Sequence, residues 1–174
     1  MAIDVTRALD AFRAYIQPRD GLGDNPFRLA CSFDEPASEA EVVSAWPSIE
    51  VPSELMQMWS TSRQSRLFED VDYGQWGLIL LSPTAAAERT AAEQARRPGV
   101  YRADDVVVGE FLGDQELVVL APSEVGRGHM LIALPLDDRG DWYAAAGDLT
   151  EFLDRYLDAL GDKYWERSTR RPRG

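Results

Sequence analysis

The sequence predicts an α+β fold in which an antiparallel or mixed meander sheet carries helices packed on one face. Three observations predict it. Helical patterns dominate the first third of the chain. Short apolar stretches follow at 77–81, 106–112, 116–121, 129–136 and 141–146, and one amphipathic helix closes the chain. Helices and strands segregated in this way build packed layers rather than alternating βαβ units.

Taken in order, Asp4 is placed to cap a first helix, in which Val5, Leu9, Phe12 and Ile16 recur at helical spacing. Pro18, Gly21, Gly23 and Pro26 break the chain into a loop, and FRLACSF at 27–33 reads as a short strand. Ser38 and Glu41 form a capping box for SEAEVVSAW, which Pro47 ends. PSELMQMWST then opens with Pro52 in its first turn, where a missing N–H costs little. Trp46 and Trp59, one on each of these helices, are expected in the core.

The five apolar stretches are short and bounded by Gly, Pro or Asp, as strands are. Between the first two lies SPTAAAERTAAEQARRPG, a helix by propensity, opened by Pro83 and closed by Pro98-Gly99. The last four strands are joined by short connections, which allow only antiparallel neighbours. In the final helix Asp148 caps, Glu151 follows three residues on, and Leu149, Phe152, Leu153, Tyr156, Leu157 and Leu160 form one buried stripe.

GEFLGDQELVV, at 109–119, poses a choice between a site and a turn. Glu110, Asp114 and Glu116 could grip a metal or a proton. Gly113-Asp114-Gln115 lies between two strands, however, and glycine there supplies positive φ without steric cost. The stretch reads as a hairpin whose charges face water.

The 174 residues suit one domain, over 1–166, followed by a basic tail at 167–174 expected to be disordered. The tail, RSTRRPRG, carries four Arg and no acid. Removing those four from the 18 Lys and Arg leaves 14 bases against 30 acids, a net charge of −16 for the body. Such a body repels phosphate backbones, which argues against direct nucleic-acid binding and for a basic protein partner. Cys31 is the only cysteine, so no intrachain disulfide can form, which fits a reducing compartment. MAIDVTRALD lacks the apolar run of a signal peptide, and the longest apolar stretch, MLIALPL at 130–136, is too short to span a bilayer. A cytoplasmic protein without a membrane partner is expected.

Catalytic chemistry finds little support. His129 is the only histidine and lies nearly a hundred residues from Cys31, which gives no zinc spacing. Neither G-x-S-x-G nor a Walker A sequence is present. Asp137-Asp138 could in principle share acid–base work with Asp114, but its place before Arg139-Gly140 reads as a turn. No catalytic residue, metal or cofactor is assigned. A binding surface has two candidates. FEDVDYGQW, at 68–76, sets Glu69, Asp70 and Asp72 beside Tyr73 and Trp76. Acids steer a basic partner and rings bury large area. In the second stretch Asp137, Asp138 and Asp141 flank Trp142, and strand alternation sends one of Trp142 and Tyr143 inward.

VPSELMQMW (51–59) followed by GLILLS (77–82) resembles the helix and strand of the SMI1/KNR4 (SUKH) superfamily. GEFLGDQELVVL (109–120) is similar to its Gly-Asp hairpin, and GDLTEFLDRYLDAL (147–160) to its closing helix. The resemblance covers roughly 38–162. It departs after Trp59, where many members carry Asn-Gly and this chain has STSRQSRLFEDVDYGQW. The resemblance implies a SUKH-like domain without enzymatic activity. It further implies a bacterial immunity protein that binds and neutralises a toxin of a polymorphic toxin system, often one directed at nucleic acid. The alternative is an intracellular regulatory or scaffold protein of the same fold with no toxin partner.

Overall fold

The computed structural model describes residues 4–48 and 50–168. Within them, seven strands pair in chain order, each antiparallel to the next: β1 (Leu29–Phe33), β2 (Ser65–Asp70), β3 (Leu78–Leu80), β4 (Val106–Phe111), β5 (Leu117–Leu120), β6 (Met130–Ala133) and β7 (Tyr143–Ala146). The helices are α1 (Val5–Asp10), α2 (Glu39–Ala45), α3 (Ser53–Thr61), α4 (Pro83–Arg96), α5 (Leu149–Asp158) and α6 (Trp165–Ser168). This is the expected α+β meander. Of the expected basic tail, Arg167 and Ser168 belong to α6, and 169–174 lie outside the described residues.

β2 was not among the expected strands. Its alternation is hidden by a bulge opposite Cys31, where the register jumps and both Leu67 and Phe68 become buried. Phe68 takes φ +51°, a left-handed conformation few non-glycine residues adopt. The bulge turns its backbone N–H onto the Cys31 sulfur at 3.3 Å and its ring into a cluster with Phe12, Tyr15 and Tyr156. Burial pushes the Cys31 thiol up to about 12, so this cysteine is a packed core group.

The sheet is covered on both sides. Successive strand residues point to opposite faces. Phe111 packs against Tyr156 of α5 and Trp165 of α6, at 6.5 and 5.4 Å between ring centroids. Its neighbour Glu110 points the other way and lies 3.9 Å from Arg89 of α4, so α4 belongs to the second face, and the expectation of helices on one face alone is corrected. The β6–β7 connection leaves the sheet at Ala133, yet its Arg139 reaches Asp105, just before β4, and Glu124, just after β5. Those groups lie at the far end of the strands, so the connection runs back along the sheet. Double cover explains why β5 and β6 are buried at every position and read as continuous apolar runs.

The caps follow the sequence. The side chains of Asp4, Ser38 and Asp148 accept backbone N–H groups of Arg7, Glu41 and Glu151. Trp46 and Trp59 stack in the core and donate their indole N–H groups to the Pro83 and Leu81 carbonyls, fixing α2 and α3 against the β3–α4 junction. Ile16 departs from its expected stripe and is exposed. After Asp10 the helix tightens into a 3₁₀ segment, Ala11–Tyr15, whose three-residue turn rotates later side chains off the α-helical stripe. On α5, Asp148→Ala is expected to cost about 1 kcal/mol, and Leu153→Ala, fully buried, about 2–5 kcal/mol. Urea denaturation giving the reverse ranking would show that the core does not rest on this helix face. Among the described residues no helix is long and apolar enough to cross a membrane.

Candidate functional site

The acidic stretch at 68–76 divides into framework and surface. Glu69 lies in β2, half-buried, and pairs with Arg66 at 2.5 Å. Asp70 is only 2% exposed, which removes it from the expected contact surface. Its carboxylate accepts the backbone N–H groups of Asp72, Tyr73 and Gln75 at 3.1–3.2 Å and so holds the following turn in shape. Asp72 is exposed and pairs with Arg28 at 3.1 Å. Tyr73 is 75% exposed. Trp76 is half-buried, and its indole N–H donates to the Gly161 carbonyl at 3.2 Å.

The 112–116 hairpin touches this turn. Phe111 N–H donates to the Glu116 carbonyl at 3.1 Å, Asp114 accepts the Glu116 N–H at 2.8 Å, and Gly113 takes φ +86°. The turn reading holds, but the charges do not simply face water. Asp114 and Glu116 converge on the ammonium of Lys163, which is 9% exposed and lies over the rings of Phe111 and Trp76. Burial pulls the Lys163 pKa down, but the hydrogen bond from its ammonium to Asp114 and the two carboxylates outweigh this, and the net shift is upward. Burial raises Glu116 despite the same ammonium. Asp114→Asn preserves the turn and removes one of two counter-charges. Asp114 is itself about a third exposed, so water screens part of the loss and about 1–2 kcal/mol of stability is expected to go. An unchanged urea midpoint would return Asp114 to the role of a plain turn residue.

Beside the 71–75 turn lies a cleft of about 450 Å³ between the 22–27 loop and the C-terminal end of α5. Leu22, Phe27, Trp76, Leu160 and Tyr164 supply its apolar lining, and Asp24, Asp158 and Asp162 its carboxylates. Asp162 pairs with Arg167 at 2.5 Å. Among the described residues Asp24 and Asp158 have no ion-pair partner. The turn is tied to the cleft wall by Asp72 on Arg28 and by Val71 N–H donating to the Arg28 carbonyl at 3.0 Å. Of the sequence candidates, Trp76 lines the cleft, while Asp72 and Tyr73 belong to the adjoining turn. Asp24, Phe27, Asp158, Asp162 and Tyr164 were not legible as site residues, because they come from segments more than a hundred residues apart and share no spacing motif. The available signals were punctuation: Asn25, whose side chain accepts the Phe27 N–H at 2.8 Å, and Gly161 at the helix end.

The second candidate stretch is elsewhere. Trp142 turns inward, 3% exposed and 5.0 Å from Tyr101 between ring centroids, which takes it out of the expected contact surface; Tyr143 is half-buried. Asp137, Asp138 and Asp141 are exposed. Arg139 between them is 12% exposed at its side chain and holds Asp105 at 2.6 and 3.1 Å and Glu124 at 3.1 Å. Arg127 adds a bond to Glu124 at 3.0 Å and donates to the carbonyls of Arg139 and Trp142. The structure therefore does not bring 137–142 and 68–76 into one site. The first is drawn back along the sheet, and the second lies at the end where β2 and β4 finish.

Fold and cleft together define an α+β meander protein with an acidic, aromatic-lined cleft beside an exposed aromatic turn. A scan against protein-family models finds no match to the chain, and a search of curated proteins finds none either. Among the described residues no group of three His, Cys, Asp or Glu side chains could hold a metal ion.

Proposed function

We propose that the protein is an immunity-type binding protein. It would bind a basic, nucleic-acid-directed toxin domain in the cytoplasm and neutralise it by steric occlusion. The observation that carries this reading is the 71–75 turn. Tyr73 stands three-quarters exposed beside Asp72, next to a cleft with two carboxylates that have no ion-pair partner among the described residues, on a body of net charge −16. Long-range charge of that sign gathers a basic partner, and an exposed ring is the kind of anchor an interface buries. The resemblance of 38–162 to immunity proteins supports the same reading.

The test is protection. Affinity capture from the native cell is expected to return a basic domain whose toxicity is abolished when the two are co-expressed. A captured domain that stays equally toxic in the presence of this protein overturns the reading. With the partner in hand, Asp72→Lys is expected to slow association at low ionic strength, with the gap to wild type closing as salt shortens the Debye length to about 8 Å. Tyr73→Ala is expected to speed dissociation with little dependence on salt. Unchanged association for Asp72→Lys at low salt would make this turn ordinary solvated surface.

A further inference from the structure

We propose that the cleft between the 22–27 loop and the end of α5 is a receptor for an arginine side chain on an extended basic segment of the partner. This rests on the proposed function and names the chemistry its partner must present. Most carboxylates near this end of the sheet are already engaged: Asp70 by backbone N–H groups, Asp72 by Arg28, and Asp114 and Glu116 by Lys163. Asp24, on the 22–27 loop, and Asp158, at the end of α5, have no ion-pair partner among the described residues. Phe27, Trp76 and Tyr164 line the same cleft.

That combination favours a guanidinium over an ammonium. A guanidinium is planar, stacks on aromatic faces and donates in a fork to carboxylates on either side, whereas an ammonium is a compact, strongly hydrated point charge. One guanidinium already lines the cleft and shows the mode of capture: that of Arg167, 71% exposed at its side chain, sits on Asp162 at 2.5 Å. The Trp76 ring is held in place by its bond to the Gly161 carbonyl, so the aromatic wall is set before a ligand arrives. At about 450 Å³ the cleft has room for a long side chain and its flanking backbone, not for a folded element.

The experiment titrates the full chain with the peptide acetyl-Gly-Arg-Gly-Arg-Gly-amide and with its lysine and citrulline counterparts. Binding is followed by the NMR signal of the Trp76 indole N–H, assigned through Trp76→Phe. The arginine peptide is expected to shift that signal and to bind roughly fivefold more tightly than the lysine peptide, with the neutral citrulline peptide weakest. Asp24→Asn with Asp158→Asn is expected to weaken arginine-peptide binding roughly tenfold at an unchanged urea midpoint, because both side chains are exposed. Asp10→Asn, on an exposed acid of α1 that does not line the cleft, should leave it unchanged. Equal binding of the arginine and lysine peptides without a Trp76 shift overturns the proposal, as does wild-type affinity in the double variant. Removing residues 169–174 is expected to leave affinity unchanged; a tenfold gain would make the chain's own Arg-rich end the occupant and equally overturn it. If the peptides fail while a captured toxin is still neutralised, this inference falls alone. If the peptides bind at Trp76 while no toxin is neutralised, the proposed function falls alone.

Discussion

Arg139→Ala is expected to cost about 3–5 kcal/mol of stability. The reason lies in what the deletion strands. Asp105 has no exposed side-chain surface, and Arg139 donates to both of its oxygens at 2.6 and 3.1 Å. Arg139 also donates to Glu124 at 3.1 Å and to the Val100 carbonyl at 3.1 Å, and it lies 5.2 Å from the centre of the Trp142 ring. Its removal leaves a buried carboxylate without its charge partner and loosens the connection that covers the second face of the sheet. Urea denaturation measures the effect. Arg139→Met combined with Asp105→Leu is expected to recover much of the loss, because it removes both charges instead of orphaning one. A single Arg139→Ala variant within about 1 kcal/mol of wild type would show that this cluster does not hold the connection.

The same cluster has a pH signature. Burial alone would raise Glu124, but the hydrogen bonds it accepts from Arg127 and Arg139 prevail and hold it below the usual value of 4.5. A carboxylate whose folded pKa is depressed contributes stability that is complete above the unfolded value and lost as pH falls through the folded one. The Glu124 contribution is therefore present at neutral pH and disappears below 4.5. Glu124→Gln should flatten the acid limb of the stability curve while leaving its shape above pH 6 unaltered (~6, well above the ordinary carboxylate range).

Gly113→Ala is expected to act at the other end of β4. At φ +86° a β-carbon costs roughly 1–3 kcal/mol of backbone strain, and here it would also overlap the Gln75 carbonyl oxygen. Because Gln75 belongs to the turn organised by Asp70, relief of that overlap must shift the turn that presents Asp72 and Tyr73. The variant is expected to unfold at lower urea and to move the Trp76 indole signal even without any ligand. Gly113→Ala with wild-type stability and an unmoved Trp76 signal would show that the hairpin and the turn are mechanically independent.

Much of this molecule was legible in the chain because the forces involved act over a few residues. The caps at Asp4, Ser38 and Asp148, the stripe of α5 and the glycine of the 112–116 hairpin depend on neighbours within a turn or two, and each formed where its local chemistry requires. The placing of Trp46 and Trp59 in the core also followed from helical position and ring size. The fate of the charges did not follow. Asp114 finds Lys163 across 49 positions and Asp105 finds Arg139 across 34, so no local pattern announces either pair. β2 was hidden because its bulge breaks the two-residue period, and Asp70 was mistaken for surface because its work is to satisfy the backbone of a turn. The cleft exists only where the 22–27 loop meets the end of α5. Local periodicity thus determined the elements, and only the tertiary structure decided which carboxylates are engaged inside the protein and which face solvent.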